Sequence, residues 1–250
     1  MKPTGLITVR KNSTRLPGKC LFKFPERTVL EHNILRARNF GFRPIVCTTN
    51  EESDDEIIKV IKELDVEYFR GPSQNKMLRW LLCAEEYGLE NFHTIDCDDP
   101  FLDYELIHRS IEELEKGKLD FVKPSLRSAS GAATVGYSIK TTFLSLCLNG
   151  VPKDENTEMI EAVLERLSKS NYKEIEEESS TEIRLTLDYL EDWVLIYFLE
   201  SKFSFGSTRK DIDLYLINNP NLFRVNWFRN NEWKERQEKI SKKIEERVSQ

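Results

Sequence analysis

The chain has 250 residues, enough for one large domain, with 37 basic against 43 acidic side chains and a formal net charge of −6. That mild acidity argues against nucleic acid as a bulk partner. Apolar residues make up 39%, with 14 Phe and 4 Trp. A sizeable core is therefore available, while no stretch approaches the ~18 apolar residues of a membrane span.

The start, "MKPTGLITVRKNS", does not read as a secretory signal, because its apolar run stops at Arg10 and Lys11. The five cysteines (Cys20, Cys47, Cys83, Cys97, Cys147) are widely spaced, with no C-x-x-C and no neighbouring His pair. Free thiols in a reducing cytoplasm are expected, and a zinc site is not.

In chain order, "GLITV" predicts a buried strand, followed by a basic loop and then a helix through "TVLEHNILRARNF" that closes at Gly41. "PIVCTT" predicts the next strand. "SDDEIIKVIKEL" predicts a helix with Ser53 as N-cap and Glu56 three residues on, the pattern of a capping box. "VEYF" predicts a third strand, "NKMLRWLLCAEEYG" a helix and "FHTID" a fourth strand. Strand–helix alternation at this spacing predicts right-handed βαβ units and a mostly parallel sheet with helices on both faces.

The second half is less regular. "LDYELIHRSIEELEKG" predicts a helix, "DFVKPS" a strand, and "ATVGYSI" a strand from another part of the sheet. "NTEMIEAVLERLSKS" predicts a helix, "EIRLTLD" a strand, "LEDWVLIYFLESK" a helix, and the tail "EWKERQEKISKKIEERVSQ" a charged helix. "KEIEEESSTE" reads as acidic surface.

Ligands of doubly wound sheets sit beyond the carboxyl ends of the strands. Three polar clusters fall at predicted ends: "RKNSTRLPGK", "DCDDP" and Asp188 after "RLTL". The first is not a Walker A loop, since Ser13 stands at the first Gly position and Cys20 replaces the metal-binding Ser/Thr. It still offers guanidinium forks, a lysine point charge and a Pro-Gly turn, which suit a triphosphate or, more blandly, a solvated charged turn. In "DCDDP", Asp96, Asp98 and Asp99 are candidate metal ligands, since packed carboxylates raise one another's pKa unless a cation neutralises them. Asp103 reads as a helix N-cap. Asp188 has both a ligand and an N-cap reading. His32, His93 and His108 lack catalytic spacing and read as structural, and Cys97 as a small buried filler.

The segment "RKNSTRLPGKCL" resembles the R-x-x-S-x-R-L-P-G-K-x-L signature of the cytidylyltransferases that activate acidic sugars, a family that includes the CMP-Kdo and CMP-sialate synthetases and spore-coat polysaccharide proteins similar to them. "TVLEHNILRAR", "EYFRGPSQNKMLRW", "TIDCDDPFLDYELI" and "RLTLDYLEDWVLI" resemble further family segments, in family order over roughly positions 4–200. The resemblance implies that Arg10, Ser13, Arg15 and Lys19 hold the triphosphate of CTP, with Arg79 on the nucleotide side. It implies Mg²⁺ on Asp98 and Asp188, catalytic roles for Lys19, Arg15 and Asp98, and Arg184 facing an anionic substrate. This sequence departs from the pattern at Asn12 and Cys97, where the family has Gly, and at Lys76, where it has Asp.

The implied fold is a three-layer α/β/α, Rossmann-like nucleotidyltransferase over residues 1–250, with a mainly parallel mixed sheet. An inserted arm at roughly 125–180 helps form a homodimer, and a C-terminal helix covers roughly 230–250. The implied reaction joins CTP to a small anionic sugar of the keto-acid type and releases pyrophosphate, in the cytoplasm, with no nucleic acid or membrane partner. The acceptor hydroxyl attacks the α-phosphorus in line, and Lys19 and Arg15 steady the departing pyrophosphate. Alternatives are a phosphonate or other acidic acceptor, another NTP, a nucleotide-sugar glycosyltransferase, or a catalytically silent binding module.

Overall fold

The computed structural model describes residues 2–125, 135–165, 167, 169–176, 182–232 and 235. Short apolar runs form β1 (Thr4–Thr8), β2 (Arg43–Thr49), β3 (Glu67–Gly71) and β4 (Asn91–Asp96), as the patterning predicts. Helices α1 (Val29–Asn39), α2 (Asp55–Glu63), α3 (Lys76–Glu86) and α4 (Tyr104–Lys116) follow these strands in turn. Then come β5 (Phe121–Pro124), β6 (Ser138–Lys140), α5 (Thr141–Cys147), α6 (Ile160–Leu164) and β7 (Tyr172–Ile175). Helices α7 (Leu190–Lys202), α8 (Arg209–Asn218) and α9 (Pro220–Phe223) complete the described elements.

The seven strands form one sheet in the order β3-β2-β1-β4-β6-β5-β7. Pairings β1–β2, β2–β3, β1–β4 and β5–β7 are parallel, while β6 runs antiparallel to both β4 and β5. The order reverses beside β1, which feeds β2 on one side and pairs β4 on the other. The carboxyl ends of β1 and β4 therefore flank the crevice expected of a doubly wound sheet.

Alternation along the strands makes the three layers. Ile7, Val46, Ile95 and Val122 join a core with α1, α2, α4, α7 and α8, while Leu6, Ile45, Phe92 and Phe121 join a second core with α3, α5 and α6. Successive strand side chains point to opposite faces, so β1, β2, β4 and β5 each feed both cores. Gly136 lies against β4 so closely that a Cβ there would sit 2.1 Å from Thr94 O, which reserves the approach to β6 for glycine.

Several expectations change. Of the stretch at 125–180, the described residues supply β6, β7, α5 and α6, so they widen the sheet and cover its second face; 126–134, 166, 168 and 177–181 lie outside the described residues. Among the described residues of the predicted helix at 156–170, the α-helical ones are those of α6. No capping box forms at Ser53 and Glu56: Asp54 caps α2, without a side-chain bond. The box forms instead at Thr28 and Glu31, at the start of α1. Residues 183–187 form no strand but a buried segment, tied to the β4 end by Leu187 N donating to Asp98 O at 2.7 Å. The C-terminal helix expected over 230–250 falls mostly outside the described residues.

Candidate active site

Thr8, the last residue of β1, pairs in register with Asp96, the last residue of β4. The two polar clusters after these strands therefore start side by side. The basic loop closes on itself, with Ser13 N and Gly18 N both donating to Lys11 O at 2.9 Å. Gly18 makes the closure with φ +73°, where a side chain would be strained. A 3-10 turn at Lys19–Leu21 then carries Lys19 inward.

Buried Asp54 anchors the loop from below. It accepts from Lys11 N at 2.8 Å, Thr48 Oγ1 at 2.9 Å, Thr49 N at 3.1 Å and Thr49 Oγ1. Asn12 donates to Ser53 Oγ at 3.1 Å. Asp65 is the only non-glycine with positive φ among the described residues, so Asn12 stands in the family's glycine position without left-handed strain.

Lys19 is the hub. Its ammonium donates to Asp98 Oδ2 at 2.5 Å, Leu187 O at 2.7 Å and Asp188 Oδ1 at 2.8 Å. An ammonium has three donors, and all are used. Burial works against the charge, but Asp98 and Asp188 outweigh it and raise the lysine's pKa. Arg15 adds a second cation on Asp188 Oδ1 at 2.7 Å. Arg10 stands at the rim, its guanidinium 3.0 Å from Glu158 Oε1, and Lys11 turns to Glu56.

Asp98 and Asp188 both bind Lys19, which lies between them. The carboxylate oxygens that converge within 4.8 Å belong to Asp96, Asp98 and Asp99. Burial opposes ionisation of Asp98, yet Lys19 holds its carboxyl below the usual range. Loss of solvent raises Asp96, against the pull of Lys76, whose ammonium is 2.8 Å from Asp96 Oδ1. Burial, then the Asp98 and Asp96 charges, push Asp99 well up, and it accepts from Thr186 Oγ1 at 2.7 Å. Asp188 commits Oδ1 to Lys19 and Arg15 and Oδ2 to Arg184, and its side chain is 1% exposed. It is neither the N-cap of α7, which is Tyr189, nor part of the open oxygen cluster.

Arg184 corrects an expectation. It is wholly buried, with Nη2 2.9 Å from Asp188 Oδ2 and Nε 3.0 Å from Asp192 Oδ1. It stands behind Asp188, with no surface toward a substrate. Arg79 is also buried, and its Nη1 donates to Pro72 O at 2.5 Å, so it braces the turn before α3. Asp103 caps α4 by accepting from Leu106 N at 3.0 Å. The histidines are structural: His32 Nε2 donates to Pro100 O, His93 Nδ1 meets Ser138 Oγ, and His108 Nε2 donates to Phe40 O.

Sequence reasoning missed the supports. Asn33 on α1 donates to Cys97 O at 2.9 Å and, with His32, fixes the backbone of the "DCDDP" turn. Asp192 accepts from Asp188 N and Tyr189 N at 2.9 Å, and Asn226 Nδ2 reaches Asp192 Oδ1 at 2.8 Å. Asp192 carries a signal, an acid three residues into a helix. Asn33 and Asn226 carry none, since their partners lie 64 and 34 residues away.

Comparison with known proteins agrees with this geometry. A family model described as cytidylyltransferase matches residues 4–181. An uncharacterised protein of Methanocaldococcus jannaschii is 29% identical over 237 residues, covering 90% of this chain and 95% of that one. The 3-deoxy-manno-octulosonate cytidylyltransferase of Agrobacterium fabrum is 30% identical over 125 residues, about half of each chain (48% and 49%). A cytidylyltransferase structure from Leptospira borgpetersenii superposes with a TM-score of 0.78 at 23% identity, over 89% of this chain and 97% of the other, which shows the shared fold. With the family match spanning most of the sheet and the basic loop that begins at Arg10, the chain belongs to the cytidylyltransferase family.

Proposed function

We propose that the protein transfers CMP from CTP to a hydroxyl of a small anionic sugar of the keto-acid type, releasing pyrophosphate. The observation that carries this reading is Lys19, buried between Asp98 and Asp188 at the switch point of the sheet, beside a loop that presents Arg10, Ser13 and Arg15. The half-length match to a 3-deoxy-manno-octulosonate cytidylyltransferase supports the acidic-sugar acceptor.

The donor set fits a hard divalent cation such as Mg²⁺, because the converging groups are carboxylate oxygens. Asp98 and Asp96 would hold it, while Asp99 is held by Thr186 and Asp188 by three cations. Bound there, such an ion would supply Lewis-acid neutralisation of phosphate charge. The acceptor oxygen forms a bond to the α-phosphorus, the bond to the β-phosphate bridging oxygen breaks, and the hydroxyl proton leaves to solvent. Arg10 and Arg15 bind the β- and γ-phosphates, and Ser13 offers a hydroxyl to them. Lys19 has no donor left over, so it acts by fixing one oxygen of Asp98 and by its charge. Arg184 and Arg79 act as braces. The family resemblance supports a homodimer working in the cytoplasm, and among the described residues no helix is long and apolar enough to cross a membrane.

The test is pyrophosphate release by each of the four NTPs against a panel of acidic sugars and phosphonates, with Mg²⁺. Release with CTP and a keto-acid sugar is expected. Equal release with ATP or GTP overturns the base assignment. Release only with phosphonates overturns the acceptor, and no release with any pair leaves a binding module.

A further inference from the structure

Lys76 is placed against its own helix. It is the first residue of α3, where the exposed N–H groups favour anions, and it is 8% exposed. A lysine in that position loses solvation and meets the wrong end of the helix dipole, so something must hold it there. Three contacts do. Asp96 Oδ1 accepts from its ammonium at 2.8 Å. The Trp80 ring centroid lies 5.1 Å from Nζ, and Trp80 is itself fixed by donating Nε1 to Thr8 Oγ1 at 2.7 Å. Asn75 secures the helix start by accepting from Leu78 N at 2.9 Å and from Thr157 Oγ1 at 3.0 Å.

The arrangement delivers one fixed positive charge to the Asp96 side of the oxygen cluster. Lys19 delivers another to the Asp98 side. The cluster of Asp96, Asp98 and Asp99 is thus flanked by two ammonium groups from unrelated parts of the chain. Lys19 belongs to the basic loop that cradles the nucleotide. Lys76 belongs to no such loop, and the family pattern has Asp at its position.

We infer that Lys76 is a resident cation that limits the divalent-ion occupancy of the cluster, by holding one oxygen of Asp96 and repelling an incoming ion. This rests on the proposed metal site at Asp96 and Asp98. Lys76 acts through Asp96 and is a positioning residue: it leaves the site with one weakly held divalent ion, and its loss both frees an oxygen and removes a repulsion.

The experiment is a titration of Mn²⁺ alone into the full chain, followed by electron paramagnetic resonance of the free ion, with circular dichroism as a fold check. Lys76→Met is expected to bind Mn²⁺ about tenfold or more tightly than the natural chain, a modest outcome for removing a unit charge beside a divalent ion at an effective dielectric of about 20. Lys76→Gln, which keeps a donor without the charge, should tighten binding in the same direction and carries the test if the Met variant does not fold. Lys76→Arg should stay near the natural affinity. Asp96→Asn added to Lys76→Met should cancel the gain. Unchanged binding in both neutral variants overturns the inference, whether or not the natural chain binds Mn²⁺. Loss of binding in Asp98→Asn tests the metal site separately, so the two readings fail independently.

Discussion

The surroundings of Asp188 and of Asp96 are built on opposite plans. At the Asp188 end, one carboxylate receives Lys19, Arg15 and Arg184, stands 1% exposed, and is backed by Asp192 and Asn226. At the Asp96 end, a single lysine meets a carboxylate whose side chain is 37% exposed. Loss of a partner at the closed end leaves a buried polar atom short of its pair, whereas the open end keeps oxygen surface for a ligand. Scaffold and reactive surface are thus separated between two distant parts of the chain that Lys19 and the 183–187 segment bring to one end of the sheet.

The comparison breaks most visibly at Arg184. Arg184→Met takes the buried cation away from Asp188 Oδ2 and Asp192 Oδ1 together, and urea denaturation should show a loss of about 3–5 kcal/mol. A loss below 1 kcal/mol would mean the closed end is no more tightly built than the open one. Lys19→Ala comes next. It removes the ammonium from between Asp98 and Asp188, and turnover should fall by roughly 10²-fold or more, the scale for losing one preorganised charge-stabilising group. Near-natural turnover in steady-state assays of a folded variant would reduce the loop to a charged turn.

Acid should act on the scaffold beneath the site before it acts on the ion pairs. Burial, with Arg36 beside it, lowers His32 to about 3, and burial lowers His93 to about 3, from 6.5. A histidine whose folded pKa lies below its unfolded one takes up its proton first in the unfolded chain. Its stabilising contribution is therefore present above pH about 6.5 and is lost as pH falls toward 3, at about 1.4 kcal/mol per pH unit for each histidine. Urea midpoints at pH 8, 6 and 5 check the sign, and His93→Gln should roughly halve the slope. A flat profile means that the two rings are protonated in the fold.

Arg10→Ala has the smallest expected effect. Arg10 and Glu158 are 41% and 42% exposed, and such a pair contributes about 0–1 kcal/mol to folding. Its thermal midpoint should stay within a degree or two of the natural chain, while KM for CTP rises severalfold. An unchanged KM removes Arg10 from the nucleotide site.

Much of this was legible in local patterns. The alternation of short apolar runs with amphipathic helices predicts β1–β4 and α1–α4, and the Pro17–Gly18 turn predicts where the basic loop closes. The loop's cations and the "DCDDP" acids are legible as well, because their chemistry is carried by adjacent residues. "EIRLTLD" was misread because a buried extended segment and a buried strand share one apolar pattern, and only pairing distinguishes them. Arg184 was misread for a similar reason: a motif names a guanidinium without saying which side of Asp188 it occupies.

The sequence by itself determined the βαβ rhythm, the reduced cysteines and the gathering of positive charge after β1. Those follow from propensity, polarity and turn chemistry over a few neighbouring residues. Only the tertiary structure decided that Lys19, 79 residues from Asp98 and 169 from Asp188, would lie between them, and that Asp96 would stay open while Asp188 closed. Such choices depend on which distant group reaches a buried charge, since an unpaired ion in the interior costs more than any local preference can offset.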